Sequence, residues 1–295
     1  MMSKPAPTGR KWKEFDIGCE KMPELPEVET IRRDLEQVLP GRTFTDVKIN
    51  YNGSIKEPSA YAIKKGLPGR QVDFIDRRGK YLLFYLHDST VMVIHLRMTG
   101  RLLLFRDMPA LDKHSHVIFT FDNHACLIFH DIRKFGTIYW LPEKRLDIVK
   151  GLSALGPEPL TEEFNTNYLY RTAKKRRGQI KGMLLNQSIV AGLGNIYCDE
   201  ALFLAGIRPD RNSDSISAEE CAKLCRAIKE VLKKAIEKRG TTRSDYRDAL
   251  GNYGLFQNHL QVYGRTGKPC LACGSMLVRK KIAGRSSHFC PQCQK

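Results

Sequence analysis

The residues best suited to nucleophilic chemistry are Pro23, Glu24 and Glu27, which follow Met22 in the stretch MPELPE. If translation begins at Met22 and this residue is removed, Pro23 has a free secondary amine. An α-amino pKa of about 7.7–8.0 leaves a sizeable unprotonated fraction at neutral pH. Amines form Schiff bases with carbonyl-like carbons, and a secondary amine gives a cationic iminium that favours elimination at the next carbon. Glu24 and Glu27 are candidate acid–base groups beside it.

Pro23 is internal in the chain as written, where its nitrogen is an amide that cannot attack a carbon. We expect Met22 to be the true start, so that residues 1–21 are not translated. Otherwise the extension 1–22 must be cleaved, or the chemistry is absent. The same stretch is also typical of a plain amphipathic helix with prolines and glutamates in its first turn.

A second site is indicated by Cys270, Cys273, Cys290 and Cys293, two C-x2-C pairs with sixteen residues between them. Four thiolates at this spacing can close a tetrahedral zinc site, and a site with no open position is structural. Two redox C-x2-C motifs are the alternative. Basic residues between the pairs predict a contact with a nucleic-acid groove or backbone, unless they form only a solvated turn.

Composition predicts a polyanionic partner, because 49 Lys and Arg against 32 Asp and Glu give a net charge of +17. No apolar run reaches the roughly 18 residues that span a bilayer, so nucleic acid is preferred to a membrane. Nine cysteines, an odd number, argue against a disulfide framework and suit a reducing interior. The first residues lack the apolar segment of a secretory signal.

Five further stretches contain residues that could hold or replace parts of a nucleic acid. Gly192 and Gly194 would let a backbone approach a phosphate before a helix N-terminus, although a plain turn explains them equally well. Together with the motifs above, the stretches make residues 22–295 resemble the bacterial formamidopyrimidine-DNA glycosylases. The motifs that carry the resemblance are MPELPEVET, RRGK (77–80), HLRMTG (95–100), DIRKFG (131–136), NQSIVAGLGNIYCDE (186–200) and QVYGRTGKPC (261–270).

The resemblance implies a bifunctional DNA glycosylase and AP lyase of base excision repair. Such an enzyme excises oxidised purines, namely 8-oxoguanine and formamidopyrimidines, through a Schiff base to Pro23, and then cuts the strand by β,δ-elimination. It further implies a monomer in the bacterial cytoplasm, associated with the nucleoid, whose partner is damaged double-stranded DNA. One structural zinc ion is the only cofactor implied.

The resemblance also assigns roles to single residues. Glu24 would assist opening of the sugar ring, and Lys80, His95, Asn195 and Arg285 would hold phosphates. An enzyme that acts on a base must take it out of the stack. Met98, Arg133 and Phe135 would fill the void, with Arg133 bound to the opposite cytosine. Without the resemblance, Met98 and Phe135 would be core strand residues. The additional active-site residues implied are Glu27, beside Pro23; Lys181, in contact with the surroundings of the target nucleotide; Glu200, near the active site; and Tyr263, near the flipped nucleotide.

Two other functions stay open. A sister class resembling endonuclease VIII prefers oxidised pyrimidines, but its pattern lacks the set Met98, Arg133 and Phe135. A non-catalytic zinc DNA-binding protein is favoured if Pro23 remains acylated.

The elements that must position these residues form an α+β chain. An apolar stripe predicts a first helix ended by Pro40-Gly41, with Val28, Ile31, Leu35, Val38 and Leu39 on one side. Alternating segments predict an antiparallel β-sandwich, with strands at 43–49, 71–76, 80–87, 90–98, 101–105, 116–122, 124–130 and 136–141. Helical periodicity follows at 161–176, 179–187, 195–205 and 217–239.

The predicted domains are the extension 1–22, a β-sandwich catalytic domain at 23–150, a linker at 151–165, a helical helix-two-turns-helix domain at 166–268 and a zinc-finger hairpin at 269–295.

Overall fold

The computed structural model describes residues 22–295, so Cys19 and residues 1–21 of the predicted extension lie outside the described residues. The first helix, α1, spans Leu25–Glu36 and begins with a capping box in which Glu24 and Glu27 each bind the other's backbone N–H. It ends four residues before Pro40, earlier than predicted. Val38 therefore lies beyond the helix and is 38% exposed, so its predicted place in the buried stripe is wrong.

Two sheets form the sandwich. The four-stranded sheet has the order β1-β7-β8-β6, and the five-stranded sheet has the order β2-β9-β5-β4-β3. All pairs are antiparallel except β2 with β9. The strands are β1 (Phe44–Ile49), β2 (Ile55–Glu57), β3 (Val72–Arg78), β4 (Tyr81–Leu86), β5 (Thr90–His95), β6 (Gly100–Phe105), β7 (Ser115–Phe121), β8 (Cys126–Asp131) and β9 (Thr137–Pro142).

Neither β2 nor the short helix α2 (Ala60–Gly66) that follows it was predicted. β2 has only three residues, too few to show a period of two. The predicted strand 90–98 stops at His95, because Arg97 has a positive φ of 57° and turns the chain before Gly100.

The core of the sandwich lies between its sheets and α1. Val28, Ile31 and Leu35 are fully buried there beside phenylalanines of β1 and β7. Leu25, one turn earlier on the same helix, belongs to the core of the helical part instead. The helix next to Pro23 is thus packed into both halves of the molecule.

The helical part contains α3 (Lys150–Ser153), α4 (Thr166–Lys174), α5 (Ile180–Leu185), α6 (Asn195–Leu204) and α7 (Ala218–Glu237). The predicted helix 161–176 begins only at Thr166, because the Asn165 side chain accepts the Tyr168 N–H at 2.9 Å and caps it there. Ser217 and Glu220 form the predicted capping box of α7. No helix within residues 22–295 has the length and apolarity needed to cross a bilayer.

The chain ends in a two-stranded hairpin of β10 (Val278–Ile282) and β11 (Arg285–Phe289). Ile282 pairs with Arg285, and the two residues between them, Ala283 and Gly284, both have positive φ, at 47° and 76°. That combination is typical of a type I′ turn, which matches the twist of the flanking strands. The turn places Arg285 at the tip of the hairpin. The predicted α+β class is confirmed, while the domain boundaries stay predictions.

Candidate active site

Two adjoining cavities bring residues of both halves together. A small one is lined by Pro23, Glu27, Met98, Thr241 and Tyr246 among others. A cleft of about 1000 Å³ lies next to it, and Met22 and Met98 line both. The predicted residues that line this cleft are Glu24, Lys80, His95, Met98, Phe135, Asn195 and Arg285. Three cations that the sequence analysis did not single out, Lys56, Arg97 and Lys134, also line it.

Glu24 is only 4% exposed and binds the first turn of α6. Its carboxylate accepts the Ile196 N–H at 3.0 Å and the Tyr197 N–H at 3.4 Å. Burial raises the pKa of Glu24, against the opposing effects of nearby Lys80 and of these backbone donors. A carboxyl group with a raised pKa is suited to donate a proton near neutral pH.

Glu27 lies one turn further along α1 and is also buried. It accepts the Glu24 N–H at 2.9 Å, the Thr241 N–H at 2.7 Å and the Tyr197 hydroxyl. Burial, reinforced by the charge of Glu24, raises the pKa of Glu27 to about 7. Glu27 thereby joins the segment that contains Pro23 to the loop after α7.

Lys80 enters the cleft directly after a tight turn at Gly79, whose φ is +59°. The Gly79 N–H donates to Glu158 at 2.6 Å, and Glu158 also pairs with Arg77 at 2.8 Å and Arg78 at 3.1 Å. Burial lowers the pKa of Lys80, and the charge of Glu24 opposes the shift. Glu158 thus positions Lys80 from the predicted linker. Glu158 was not predicted, since it and its partners are about eighty residues apart in the sequence.

His95 is 6% exposed, and its Nδ1 accepts the Arg97 N–H at 3.0 Å. Burial, with Arg97 and Lys80 nearby, holds the pKa of His95 well below its usual range. The neutral ring therefore has its proton on Nε2. His95 can donate that N–H to an anion in the cleft without being charged.

Met98, Arg133 and Phe135 are brought together although thirty-five residues separate the first two. Arg133 Nη1 lies 3.0 Å from Met98 Sδ, and its guanidinium lies 4.8 Å from the centre of the Phe135 ring. Phe135 is 52% exposed, so its alternative interpretation as a core strand residue is wrong. An adaptable thioether, a planar cation and an aromatic ring at one exposed edge are the types that replace an extruded base.

Asn195 begins α6 at the edge of the cleft, and its side-chain amide donates to the Ser286 carbonyl at 3.0 Å. This bond joins α6 to the hairpin that contains Arg285. Gln187 shapes the preceding loop, because its side chain accepts the Gly192 N–H and donates to the Leu193 carbonyl. Gln187 was not predicted, and only its place before the glycines could have indicated it.

Lys181, Glu200 and Tyr263 are not among the residues that line the cleft, and their predicted roles near the target nucleotide stay predictions. Lys181 is fully buried and binds Asp199 at 2.6 Å and the Ser286 carbonyl at 3.0 Å. Glu200 accepts backbone N–H groups of residues 261–263. Tyr263 is 2% exposed and packs against His288. All three hold the hairpin against the helical part.

The four predicted zinc ligands converge, with their Sγ atoms all within 4.8 Å of one another. Cys270 and Cys293 have Sγ atoms 3.9 Å apart, and Cys273 and Cys290 have them 3.5 Å apart. Zn–S bonds of about 2.3 Å in a tetrahedron require Sγ atoms about 3.8 Å apart. The cysteines therefore fit one zinc ion with no open position.

The chain matches three family models in the order of its domains. They are the formamidopyrimidine-DNA glycosylase N-terminal domain over residues 22–138, the H2TH domain of the same enzymes over 155–246, and the zinc finger found in FPG and IleRS over 267–295. The chain belongs to the formamidopyrimidine-DNA glycosylase family.

Relatives of this family cover nearly the whole chain. The formamidopyrimidine-DNA glycosylase of Pelotomaculum thermopropionicum is 45% identical, over 93% of this chain and 99% of its own. The enzyme of Desulforamulus reducens is 46% identical, over 93% and 99%. Among solved structures, the Lactococcus lactis Fpg in complex with DNA containing an abasic site is 39% identical, covering 92% of this chain and 99% of its own with a TM-score of 0.86. The MutM (Fpg) protein of Thermus thermophilus is 41% identical, with coverages of 92% and 98% and a TM-score of 0.83.

Membership of the family confirms the predicted enzyme class, a DNA glycosylase with AP lyase activity, and the single structural zinc. The roles of individual residues remain predictions. Among the described residues, those at the cleft come from the segment before α1, the five-stranded sheet, the loops between strands, the H2TH segment and the hairpin, so the site depends on how these parts are packed together.

Proposed function

We propose that this glycosylase excises oxidised purines from double-stranded DNA and cuts the strand by β,δ-elimination, with Pro23 as the nucleophile. The observation that carries the proposal is the position of Pro23. It lines a small cavity together with the buried Glu27 and with Met98, while the buried Glu24 and several cations line the adjoining cleft. We further propose a monomer that acts on DNA in the bacterial cytoplasm, at the nucleoid.

The Pro23 amine attacks C1′ of the damaged nucleoside. The N–C1′ bond forms as the glycosidic bond breaks, and the base leaves with a proton. Glu24 is the acid that assists opening of the sugar ring, since its buried position favours the protonated carboxyl group. Ring opening gives an iminium between Pro23 and C1′, which attracts the electrons of the C2′–H bond once a base removes that proton.

Elimination then breaks the C3′–O and C5′–O bonds in turn, each oxygen leaving with its phosphate. Lys80 and Arg285 donate charged N–H groups to the phosphates on either side of the sugar. His95 donates a neutral Nε2–H, and Asn195 offers the N-terminus of α6. Zinc takes no part in these steps, because four cysteines leave it no open position. These cysteines hold the hairpin that presents Arg285.

Met98, Arg133 and Phe135 fill the space left by the extruded nucleotide, with Arg133 bound to the opposite cytosine. Their clustering at one exposed edge supports an oxidised-purine enzyme over an endonuclease VIII-like one.

We propose that the active chain begins at Pro23. The N-terminal family model starts at residue 22, and the Herpetosiphon aurantiacus enzyme aligns over its entire length with 274 residues of this chain. In the chain as written, Met22 is joined to the Pro23 nitrogen and lines both cavities. An acylated nitrogen has no free lone pair for the attack.

The test compares the chain of residues 1–295 with one expressed from Met22, each with its N-terminus determined by mass spectrometry. Both are incubated with borohydride and a duplex that contains 8-oxoguanine opposite cytosine. We expect a covalent adduct for the chain that begins at Pro23 and none for the chain that keeps residues 1–22. Pro23→Gly should lose the adduct, whereas Pro40→Gly, a proline outside both cavities, should keep it.

A chain with a verified Pro23 terminus that gives no adduct contradicts the assignment of the nucleophile. A stronger reaction with an oxidised pyrimidine than with 8-oxoguanine contradicts the assignment of the lesion class. An adduct from the uncleaved chain would show that another amine reacts.

A further inference from the structure

A basic groove lies on α4, apart from the cleft. It has a volume of about 540 Å³ and is lined by three cations, Arg171, Lys175 and Arg176, with no carboxylate among its lining residues. The remaining lining residues are neutral and polar or aromatic: Asn165, Asn167, Tyr168 and Thr172. Three cationic side chains that line one groove form a surface that suits an anion with several oxygens.

The charges of the groove are not neutralised within residues 22–295. Arg171, Lys175 and Arg176 are exposed and form no salt bridge with a carboxylate of the described chain. By contrast, Arg77 and Arg78 near the cleft are paired with Glu158. Like charges this close repel one another, and an anionic partner would relieve the repulsion.

One loop connects the groove with the cleft. Tyr168, which lines the groove, donates its hydroxyl to the Ile189 carbonyl at 3.0 Å. Ile189 belongs to the loop between α5 and α6, and Gln187, Leu193 and Gly194 of that loop line the cleft. A polyanion seated in the cleft and following this loop would therefore arrive at α4.

We propose that the groove on α4 binds backbone phosphates of the duplex arm on one side of the lesion and so extends the DNA footprint beyond the cleft. The proposal rests on the proposed function, because it takes the occupant of the cleft to be duplex DNA. A nine-residue helix is about 14 Å long, which corresponds to about four base pairs of one strand. Exposed arginine and lysine side chains at this spacing bind phosphates without reading bases.

The experiment measures Kd at several salt concentrations for three duplexes, each with a tetrahydrofuran abasic analogue opposite cytosine. One duplex has about 12 base pairs, and the others are lengthened by about 10 base pairs on either the 5′ or the 3′ side. We expect the extension on one side only to tighten binding. Each phosphate contact contributes about 0.9 to the slope of log K against log salt, so three contacts steepen that slope by about 3.

The triple variant Arg171→Gln, Lys175→Gln, Arg176→Gln should lose the gain from the longer duplex and bind the short duplex like the wild type. Its matched control removes three exposed charges elsewhere, Lys48→Gln, Lys64→Gln, Lys65→Gln, and should keep the gain. Circular dichroism checks that both variants are folded.

Three results would overturn the proposal: no gain from either extension, a gain that survives in the α4 variant, or an equal loss in the control variant. Weaker binding of the short duplex by the α4 variant would also overturn it, since the groove would then be part of the cleft. Failure of the proposed function is seen separately, as no preference for the abasic analogue over undamaged DNA in the short duplex.

Discussion

At the scale of single residues, the site is distinguished by two adjacent carboxyl groups that both bind backbone far away in the sequence. Glu24 binds the first turn of α6, 172 residues away, and Glu27 binds Thr241, 214 residues away. Each is buried, and burial raises the pKa of each. The protein therefore stabilises uncharged carboxyl groups next to Pro23, where the proposed amine nucleophile would need an acid.

The pKa of Glu27, raised from 4.5 to about 7, makes the stability of the fold depend on pH. Between these values the folded chain holds a proton on Glu27 that the unfolded chain has released. The stabilisation of the fold by this proton is therefore complete below pH 4.5 and is lost as pH rises through 7. We expect the free energy of unfolding to fall by about 2 kcal/mol more in the wild type than in Glu27→Gln between pH 5 and 8, measured by urea denaturation.

Glu29, on the same helix, provides the control. The pKa of Glu29 is lowered to about 2, because the nearby Arg32, Arg33 and Arg77 outweigh the effect of burial. The stabilisation of the fold by the Glu29 carboxylate is therefore complete above pH 4.5 and is lost only as pH falls through 2. Glu29→Gln should therefore lower stability by the same amount throughout pH 5–8. Parallel curves for the wild type and Glu27→Gln would contradict a raised pKa of Glu27.

At the scale of elements, one buried carboxylate joins the two loops that contain Met98 and Arg133. Asp131, at the end of β8, is fully buried. One of its oxygens accepts the Thr99 hydroxyl at 2.5 Å and the Arg133 N–H at 3.2 Å, and the other accepts the Gly136 N–H at 2.8 Å. This arrangement fixes both loops although Arg97 and Lys134 within them have positive φ.

Asp131→Asn replaces one of these acceptor oxygens by an amide donor and leaves a backbone N–H unpaired, at a cost of about 1–3 kcal/mol. We expect the loops to loosen and discrimination between cytosine and adenine opposite 8-oxoguanine to fall by about tenfold, which corresponds to about 1.4 kcal/mol. Cleavage of a preformed abasic site should change much less. Single-turnover assays on both opposite bases measure the effect, with the exposed Asp46→Asn as control. If discrimination between the two opposite bases were unchanged, Asp131 would not be needed for the proposed contact of Arg133 with the opposite base.

At the scale of the whole molecule, the sequence predicted the parts whose signals are local. The cysteine spacing, the capping box at Ser217 and the alternation in the strands each depend on residues close in sequence. The missed residues, Glu158 and Asp131 among them, act through partners as many as 81 positions away, and no local pattern encodes such a pairing. The burial of Lys181 against Asp199 was likewise not predicted, because only the folded chain brings the two side chains together.

One such distant contact contributes to the packing of the two halves. Arg239, just after α7, binds Asp34 of α1 at 2.7 Å and Asp248 at 2.9 Å, and both carboxylates are buried. In the same segment, the Ala249 carbonyl accepts the Leu104 N–H at 2.7 Å and so covers the edge strand β6. The helix that follows Pro23 is thereby fixed to the loop that lines its cavity.

Removing the guanidinium should leave two buried carboxylates without their cation. Loss of one partner of a buried pair costs about 3–5 kcal/mol, and because Arg239 is itself 38% exposed we expect Arg239→Gln to lower the free energy of unfolding by about 2 kcal/mol. Asp34→Asn added to Arg239→Gln should restore part of that loss, since one fewer charge is then unpaired. Strictly additive effects in urea denaturation would mean that Arg239 stabilises the fold through its packing and not through this ion pair.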